Sequence, residues 1–394
     1  MKKICFLVDS VFTVGGVQRV TAVIAKSLSD SADVTIATFD SPTLRREDMW
    51  GLDESAVRTV HVAYPRVGGV LLMLCKCYSA LYKLLRLPWE WASRLYARSS
   101  FPAPMRQHIA DELCRGGYDV VVGVHAPLAA RLATLRPRLK GVMLVGWIHN
   151  SFEALYGSQS TYIGPALKRH YISQLRQLNA VVVLSHHDAS QYASYDSRLR
   201  PAVIYNPLTL VPGETSRGTS HRFLAVGRLS ALHKGFDILI EAFSIFAKHD
   251  DLWHLDIVGE GEEAVVLQAL ISKLKMEQRI TIHPFTADIQ RYYSEAQVYV
   301  LSSRWEGFGL VLIEAMAHGL PVVTSDLPTS KELLGDDALY FENGNAAQLA
   351  QRLSEATQID WQLCSRKAKA RAKQFGIDSI RHQWTELLSG KDLK

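Results

Sequence analysis

Glu306 and Glu314 stand eight residues apart in the run R-W-E-G-F-G-L-V-L-I-E-A-M-A-H-G at residues 304–319. Two carboxylates on either side of a turn could flank one bound ligand. Between them, Gly307, Phe308 and Gly309 form a turn that opens a helix predicted over 310–318. Gly319 and Pro321 stop it, as glycine then proline past a last turn usually do. The first N–H groups of a helix have no intrahelical partner and point outward, so such a turn is an anion site. Glycine lets the backbone approach a bulky phosphate. A second run, G-R-L-S-A-L-H-K-G at 227–235, sets Arg228 and Lys234 on one loop. A guanidinium binds phosphate bidentately, and an ammonium neutralises it as a point charge. Taken singly, a helical glutamate or a loop cation is most often a solvated surface residue. Taken together, they could flank a bound nucleotide-sugar.

These residues need elements to hold them. A strand predicted over 297–301 feeds the Glu306 turn, and one over 223–226 feeds the Arg228 loop. Further apolar runs at 255–258 and 280–283 end at Gly259 and at Pro284 with Phe285. The first half has the same grammar. A short apolar run at 4–8 precedes Gly15, Gly16 and Gln18 and a helix over 20–28. Strands over 34–39, 118–124, 141–148 and 181–184 follow, the middle two ending at His125 and at His149, Asn150 and Ser151. Strands alternating with helices predict parallel sheets, and open α/β sheets place ligands beyond their strands' C-terminal ends. The expected fold class is α/β, with two Rossmann-like parallel-sheet domains facing a central cleft. Residues 211–220, V-P-G-E-T-S-R-G-T-S, read as a linker. The expected domains are 1–208, 209–376 and a final helical segment, 377–394, returning toward the first. Gly15 and Gly16 do not complete a G-x-G-x-x-G, which speaks against an NAD-dependent dehydrogenase.

At 394 residues the chain exceeds one ordinary core; 48% hydrophobic and 21% charged residues exclude a disordered class, and a net charge of +5 does not argue for nucleic acid. Five scattered cysteines fit no disulfide framework or zinc pattern. Asp9 ends the first apolar run, so a buried strand is expected there rather than a signal sequence, and no stretch is apolar enough to span a bilayer. A cytoplasmic protein is expected.

The run E-G-F-G-L-V-L-I-E-A-M-A-H-G-L-P-V-V resembles the Glu–seven residues–Glu signature of retaining glycosyltransferases of the GT-B fold, glycosyltransferase family 4. The resemblance is tight over 223–345 and looser before. It implies that Arg228, Lys234 and the backbone amides of Phe308, Gly309 and Leu310 hold the donor diphosphate. Glu306 would hold sugar hydroxyls and act with His149 at the transferred sugar, Glu314 would hold the ribose, and Gly259 with Pro284 would line the base. G-G-V-Q-R-V resembles the family's first loop, which puts Gly15 and Gly16 at the donor phosphate and Gln18, with Asn150, at the acceptor. The same resemblance implies a uridine nucleotide-sugar, a glycan or polyprenyl-diphosphate-linked acceptor, front-face transfer with retention, and, since no D-x-D is present, no metal or other cofactor. A nucleotide-sugar 2-epimerase or a non-catalytic glycosylation subunit are the alternatives. Acceptor-dependence of turnover separates them.

Residues 66–106 fall outside this pattern. They contain seven Lys/Arg and one acid, Glu90. Leu71, Leu74, Tyr78, Leu81, Tyr82 and Leu85 recur on one helical face, Lys76, Lys83 and Arg86 on another, and Trp89 and Trp91 follow Pro88. A basic amphipathic helix with tryptophans is expected to meet an anionic membrane surface. The plain alternative is a leucine stripe packed on the first sheet with a solvated basic face.

Overall fold

A computed structural model describes residues 1–44, 49–85, 87, 89–158, 160 and 162–390. Among the described residues thirteen strands alternate with helices. In the first half these are β1 (Lys3–Val8), β2 (Asp33–Thr38), β3 (Arg58–His61), β4 (Val120–Val124), β5 (Met143–Trp147), β6 (Ala180–Val183) and β7 (Ala202–Val203). They form one parallel sheet in the order β3-β2-β1-β4-β5-β6-β7. The second half has β8 (Arg222–Val226), β9 (His254–Val258), β10 (Ile280–His283), β11 (Val298–Leu301), β12 (Val322–Ser325) and β13 (Ala338–Phe341). Their order is β10-β9-β8-β11-β12-β13, again all parallel.

The central strands read as continuous apolar runs because helices cover both faces of each sheet. The six residues of β1 are buried from Ile4 onward, and all five of β4 are buried. The edge strand β3 differs. Its sequence R-T-V-H alternates exposed and half-buried positions, so it carries no apolar run to announce it.

The chain divides into two compact units, one of Met1–Thr209 with the chain from Ile377, the other of Leu210–Gly376. The helix Ile377–Leu388 completes the first unit's core. Trp384 is fully buried, its ring 4.8 Å from Trp147 and 6.3 Å from Phe6, and the Lys2 ammonium donates to the Leu388 carbonyl at 2.7 Å. Burying an aromatic ring of that size contributes a few kcal/mol, about 25 cal/mol per Å² of apolar surface.

In both sheets the strand order reverses about the first strand, between β1 and β4 and between β8 and β11. The connections leaving such a pair run to opposite sides, which opens a crevice beyond the carboxyl ends. The first helix, α1 (Gly16–Ser29), starts four residues earlier than its apolar periodicity suggested, at the β1 crevice. Two further helices, α2 (Gly69–Leu85) and α3 (Glu90–Ser100), pack on each other. Tyr82 of α2 stacks on Tyr96 of α3 at 4.6 Å. Arg86 and Pro88, placed above on the basic face and before the tryptophans, lie outside the described residues. No helix among the described residues is long and apolar enough to cross a membrane.

Candidate active site

At the second sheet's reversal two loops lie side by side. One leaves β8 at Val226 and ends in the short helix Ala231–Lys234; the other leaves β11 at Leu301 and ends at the helix Leu310–Ala317. Backbone and side chains stitch them together. Ser302 Oγ donates to the Lys234 carbonyl at 2.9 Å, and the Arg304 amide donates to the His233 carbonyl at 2.8 Å. His233 Nε2–H donates to the Trp305 carbonyl at 2.9 Å while the two rings stack. The Arg304 guanidinium grips Asp237 through two bonds, 3.0 and 2.8 Å. The loops approach so closely at Gly235, where φ is 64°, that a Cβ would sit 2.1 Å from the Ser302 carbonyl oxygen.

This stitching buries an ion pair. Lys234 Nζ lies 2.6 Å from Glu306 Oε1, with 14% and 8% of the two side chains exposed. Ser303 Oγ donates to the same oxygen at 2.7 Å. Glu306 Oε2 has no hydrogen-bond partner among the described residues. Burial alone would raise the Glu306 pKa, but the charges of Lys234 and His233 and the two hydrogen bonds outweigh it and hold the carboxyl below its ordinary value. The site therefore presents an ionised carboxylate with one oxygen engaged and one open, beside an ammonium that retains further donors.

Eight residues on, Glu314 is buried inside the helix Leu310–Ala317. Tyr293 Oη donates to its Oε2 at 2.9 Å, and His318 stacks on the Tyr293 ring. His318 Nδ1–H donates to the Glu314 carbonyl at 2.8 Å, and its Nε2 accepts the Gly213 amide at 3.2 Å. The helix starts from Gly309, at φ 85°, with no side-chain cap; the Leu312 amide donates to the Gly309 carbonyl at 2.9 Å, and the amides of Leu310 and Val311 have no intrahelical acceptor. Phe308 is buried against Phe375, which anchors the turn. Leu310 is half-buried, Pro284 is exposed just past β10, and the Arg228 guanidinium is exposed with no partner among the described side chains. Gly259 follows β9 at φ 158°, where a Cβ would lie 1.9 Å from the Gly227 carbonyl oxygen; only glycine fits.

Arg228, Lys234, Gly259, Glu306, Phe308, Gly309, Leu310 and Glu314 thus lie on the loops beyond β8, β9 and β11 and on the helices those loops lead into. Ser303, Tyr293, His233, His318 and the pair formed by Arg304 and Asp237 support them and were not singled out from the sequence. Serine, tyrosine and histidine at those positions carry no spacing signal; their roles exist only once β8 and β11 are neighbours.

The first unit has its own crevice. Leu7, Gly123 and Gly146 are level across β1, β4 and β5, so Asp9, His125 and Ile148 are level two residues on, with His149 and Asn150 next. The His125 and His149 rings meet edge to face at 5.4 Å. His125 is held at φ 74°, a conformation that costs a non-glycine residue roughly 1–2 kcal/mol. His149 is 7% exposed, and its Nε2 is buried without a hydrogen-bond partner. Asn150 is half-buried at the same strand end. Gly15 caps α1 in an extended conformation, and the Gln18 amide, which donates to Thr13 Oγ1 at 3.3 Å, folds back over it. Asp40 fixes the same loop by accepting the Val11 and Phe12 amides at 2.8 and 3.1 Å.

Burial lowers the His149 pKa well below the ordinary 6.5, and the neighbouring His125 adds to the shift. Burial also lowers His125, His233 and His318, and takes His170 down to about 4. A histidine whose folded pKa is depressed stabilises the fold fully above the unfolded value. That stability is lost as pH falls, because the unfolded chain takes up the proton first. The melting temperature is expected to drop between about pH 7 and pH 5, and His149→Asn is expected to flatten that drop in parallel thermal melts. An unchanged slope would mean that His149 titrates normally.

The glycosyltransferase family 4 model matches residues 14–210, and the glycosyl transferases group 1 model matches residues 220–358. An uncharacterized glycosyltransferase of Haemophilus influenzae is 26% identical over 396 residues, 98% of this chain and 100% of that protein. An O-antigen chain mannosyltransferase of Salmonella typhimurium is 34% identical over 142 residues, 35% of this chain and 39% of that protein. Among solved structures, HepE of Anabaena in complex with UDP and glucose has the same GT-B fold at a TM-score of 0.75. It is 21% identical, and the match covers 99% of this chain and 100% of that one. With two parallel-sheet units, each matched by its own family model, the chain belongs to glycosyltransferase family 4, the glycosyl transferases group 1.

Proposed function

We propose that the chain transfers a hexose or N-acetylhexosamine from a UDP-sugar to a glycan acceptor carried on a polyprenyl diphosphate, with retention of the anomeric configuration, in building a cell-surface polysaccharide at the cytoplasmic face of the membrane. The observation that carries the donor half is the buried pair of Lys234 and Glu306 at the β8/β11 reversal, with Arg228 and an uncapped helix start on the same loops. Arg228, Lys234 and the amides of Gly309 and Leu310 suit a diphosphate. The open Glu306 Oε2 suits a sugar hydroxyl, and Glu314 beside Tyr293 suits the ribose. His149 offers a neutral ring with an unpaired Nε2 to a hydroxyl. The uridine assignment draws on HepE, solved with UDP and glucose, and the polysaccharide assignment on the Salmonella O-antigen enzyme.

The chemistry needs little from the protein beyond charge and position. The acceptor hydroxyl attacks the anomeric carbon on the face the diphosphate leaves, and a phosphate oxygen of the leaving group takes the acceptor's proton. Arg228, Lys234 and the helix amides stabilise the charge that builds on the diphosphate as the bond breaks. The test is incubation with a panel of nucleotide-sugars, with and without a lipid-linked glycan acceptor, and anomer assignment by NMR. UDP release that depends on acceptor, with a retained anomeric linkage, is expected. Epimerised free sugar from donor alone would contradict it.

A further inference from the structure

The helix α2 leaves its apolar face uncovered. Tyr78 and Tyr82 turn inward to Ala92, Tyr96 and Leu167, and Tyr82 is the only buried residue among its seventeen. The leucines expected in the same stripe face out instead, joined by residues the periodicity did not single out. Val70 is 76% exposed, Met73 63%, Leu74 59% and Leu84 79%. At about 100° per residue, Met73, Leu84, Cys77, Val70, Leu81 and Leu74 occupy one arc roughly 100° wide. Lys76 and Lys83 follow within about 80° of its Met73 border. At the start of α3, Trp89 and Trp91 stack at 5.8 Å and are 53% and 60% exposed. A soluble surface rarely leaves so many large apolar side chains contiguous; such a face marks an interaction site.

We infer that α2 and the tryptophan pair at the start of α3 form a membrane-docking surface that lies in the headgroup region of an anionic bilayer. The composition selects this occupant. α2 contains no Asp or Glu, so its polar border is cationic only. Lysines at the edge of an apolar arc reach the headgroup phosphates while the leucines and methionine enter the acyl boundary, and tryptophan prefers the same depth. A second copy's α2 would offer these lysines no carboxylate as a partner. The inference deepens the lipid-linked acceptor reading and rests on it only for its purpose; the surface itself stands on the exposed side chains.

Vesicle flotation tests it. Wild type is expected to float with phosphatidylglycerol-containing vesicles at low salt and to stay partly bound at high salt, because apolar insertion survives the screening that removes the lysine contribution. Lys76→Ser with Lys83→Ser is expected to weaken low-salt binding roughly 30-fold. Met73→Ser with Leu81→Ser and Leu84→Ser is expected to weaken binding at least about a hundredfold at either salt. UDP titration and thermal melts on the same samples report folding and the donor site independently, so a failed surface and a failed donor assignment read differently. Wild type that ignores anionic vesicles, or a triple variant that floats as well as wild type, overturns the inference. So does a wild-type dimer in sedimentation velocity that the triple variant abolishes while neither floats.

Discussion

Replacing Lys234 with alanine is expected to cut turnover by a factor of about 30 to 1000, equivalent to roughly 2–4 kcal/mol of lost transition-state stabilisation. It is also expected to destabilise the fold by about 3–5 kcal/mol, because a buried carboxylate loses its counter-ion. The second effect follows from the structure alone. Glu306 is buried and keeps its negative charge chiefly against the desolvation that burial imposes, through Lys234 at 2.6 Å. Two effects on one side chain need separating. Pairing Lys234→Met with Glu306→Gln removes both charges and is expected to restore most of the stability while leaving turnover low. Stability is read from urea denaturation, and turnover from UDP release. A double variant that regained activity along with stability would make the pair structural only.

Gly235→Ala is expected to damage the contact between the β8 and β11 loops directly. The position combines φ 64°, which costs an alanine roughly 1–2 kcal/mol, with a Cβ placed 2.1 Å from the Ser302 carbonyl oxygen. Backbone must move to relieve that contact, and Ser302 is the residue whose hydroxyl holds the Lys234 carbonyl. A loss of about 3 kcal/mol or more and a weakened donor site are therefore expected together. Gly344→Ala is the matched control. Its φ is 86° and nothing lies within 4 Å of the added carbon, so it should show the conformational cost alone. Equal losses in the two variants would mean that the β8 and β11 loops can separate without consequence.

The alternation of apolar runs with helical patterns was enough to expect two parallel-sheet units, because β4 and β11 are buried along their whole length and β1 and β8 over most of theirs. The candidate donor residues were singled out by their resemblance to the family signature, and the structure brings two of them, Lys234 and Glu306, into contact. What the sequence could not carry was adjacency. Nothing in the residues between 235 and 301 says that β8 will pair with β11, so the contact of Lys234 with Glu306 across 72 positions, and the support from Ser303 and His233, appear only with the topology. The face of α2 was misjudged in part because its apolar residues run nearly all round the helix. Which of them are buried is decided by Tyr78 and Tyr82 packing on α3, a tertiary preference that periodicity does not contain.

The central claim is that the β8/β11 reversal is a donor diphosphate site that works through Arg228, Lys234 and helix amides. Isothermal titration of the purified chain with UDP in the presence of EDTA tests it most directly. The account predicts one-to-one binding without divalent metal, weakened at least about tenfold in Arg228→Ala and in Glu314→Gln. UDP that fails to bind, that binds only after manganese is restored, or that binds both variants as tightly as wild type would contradict it.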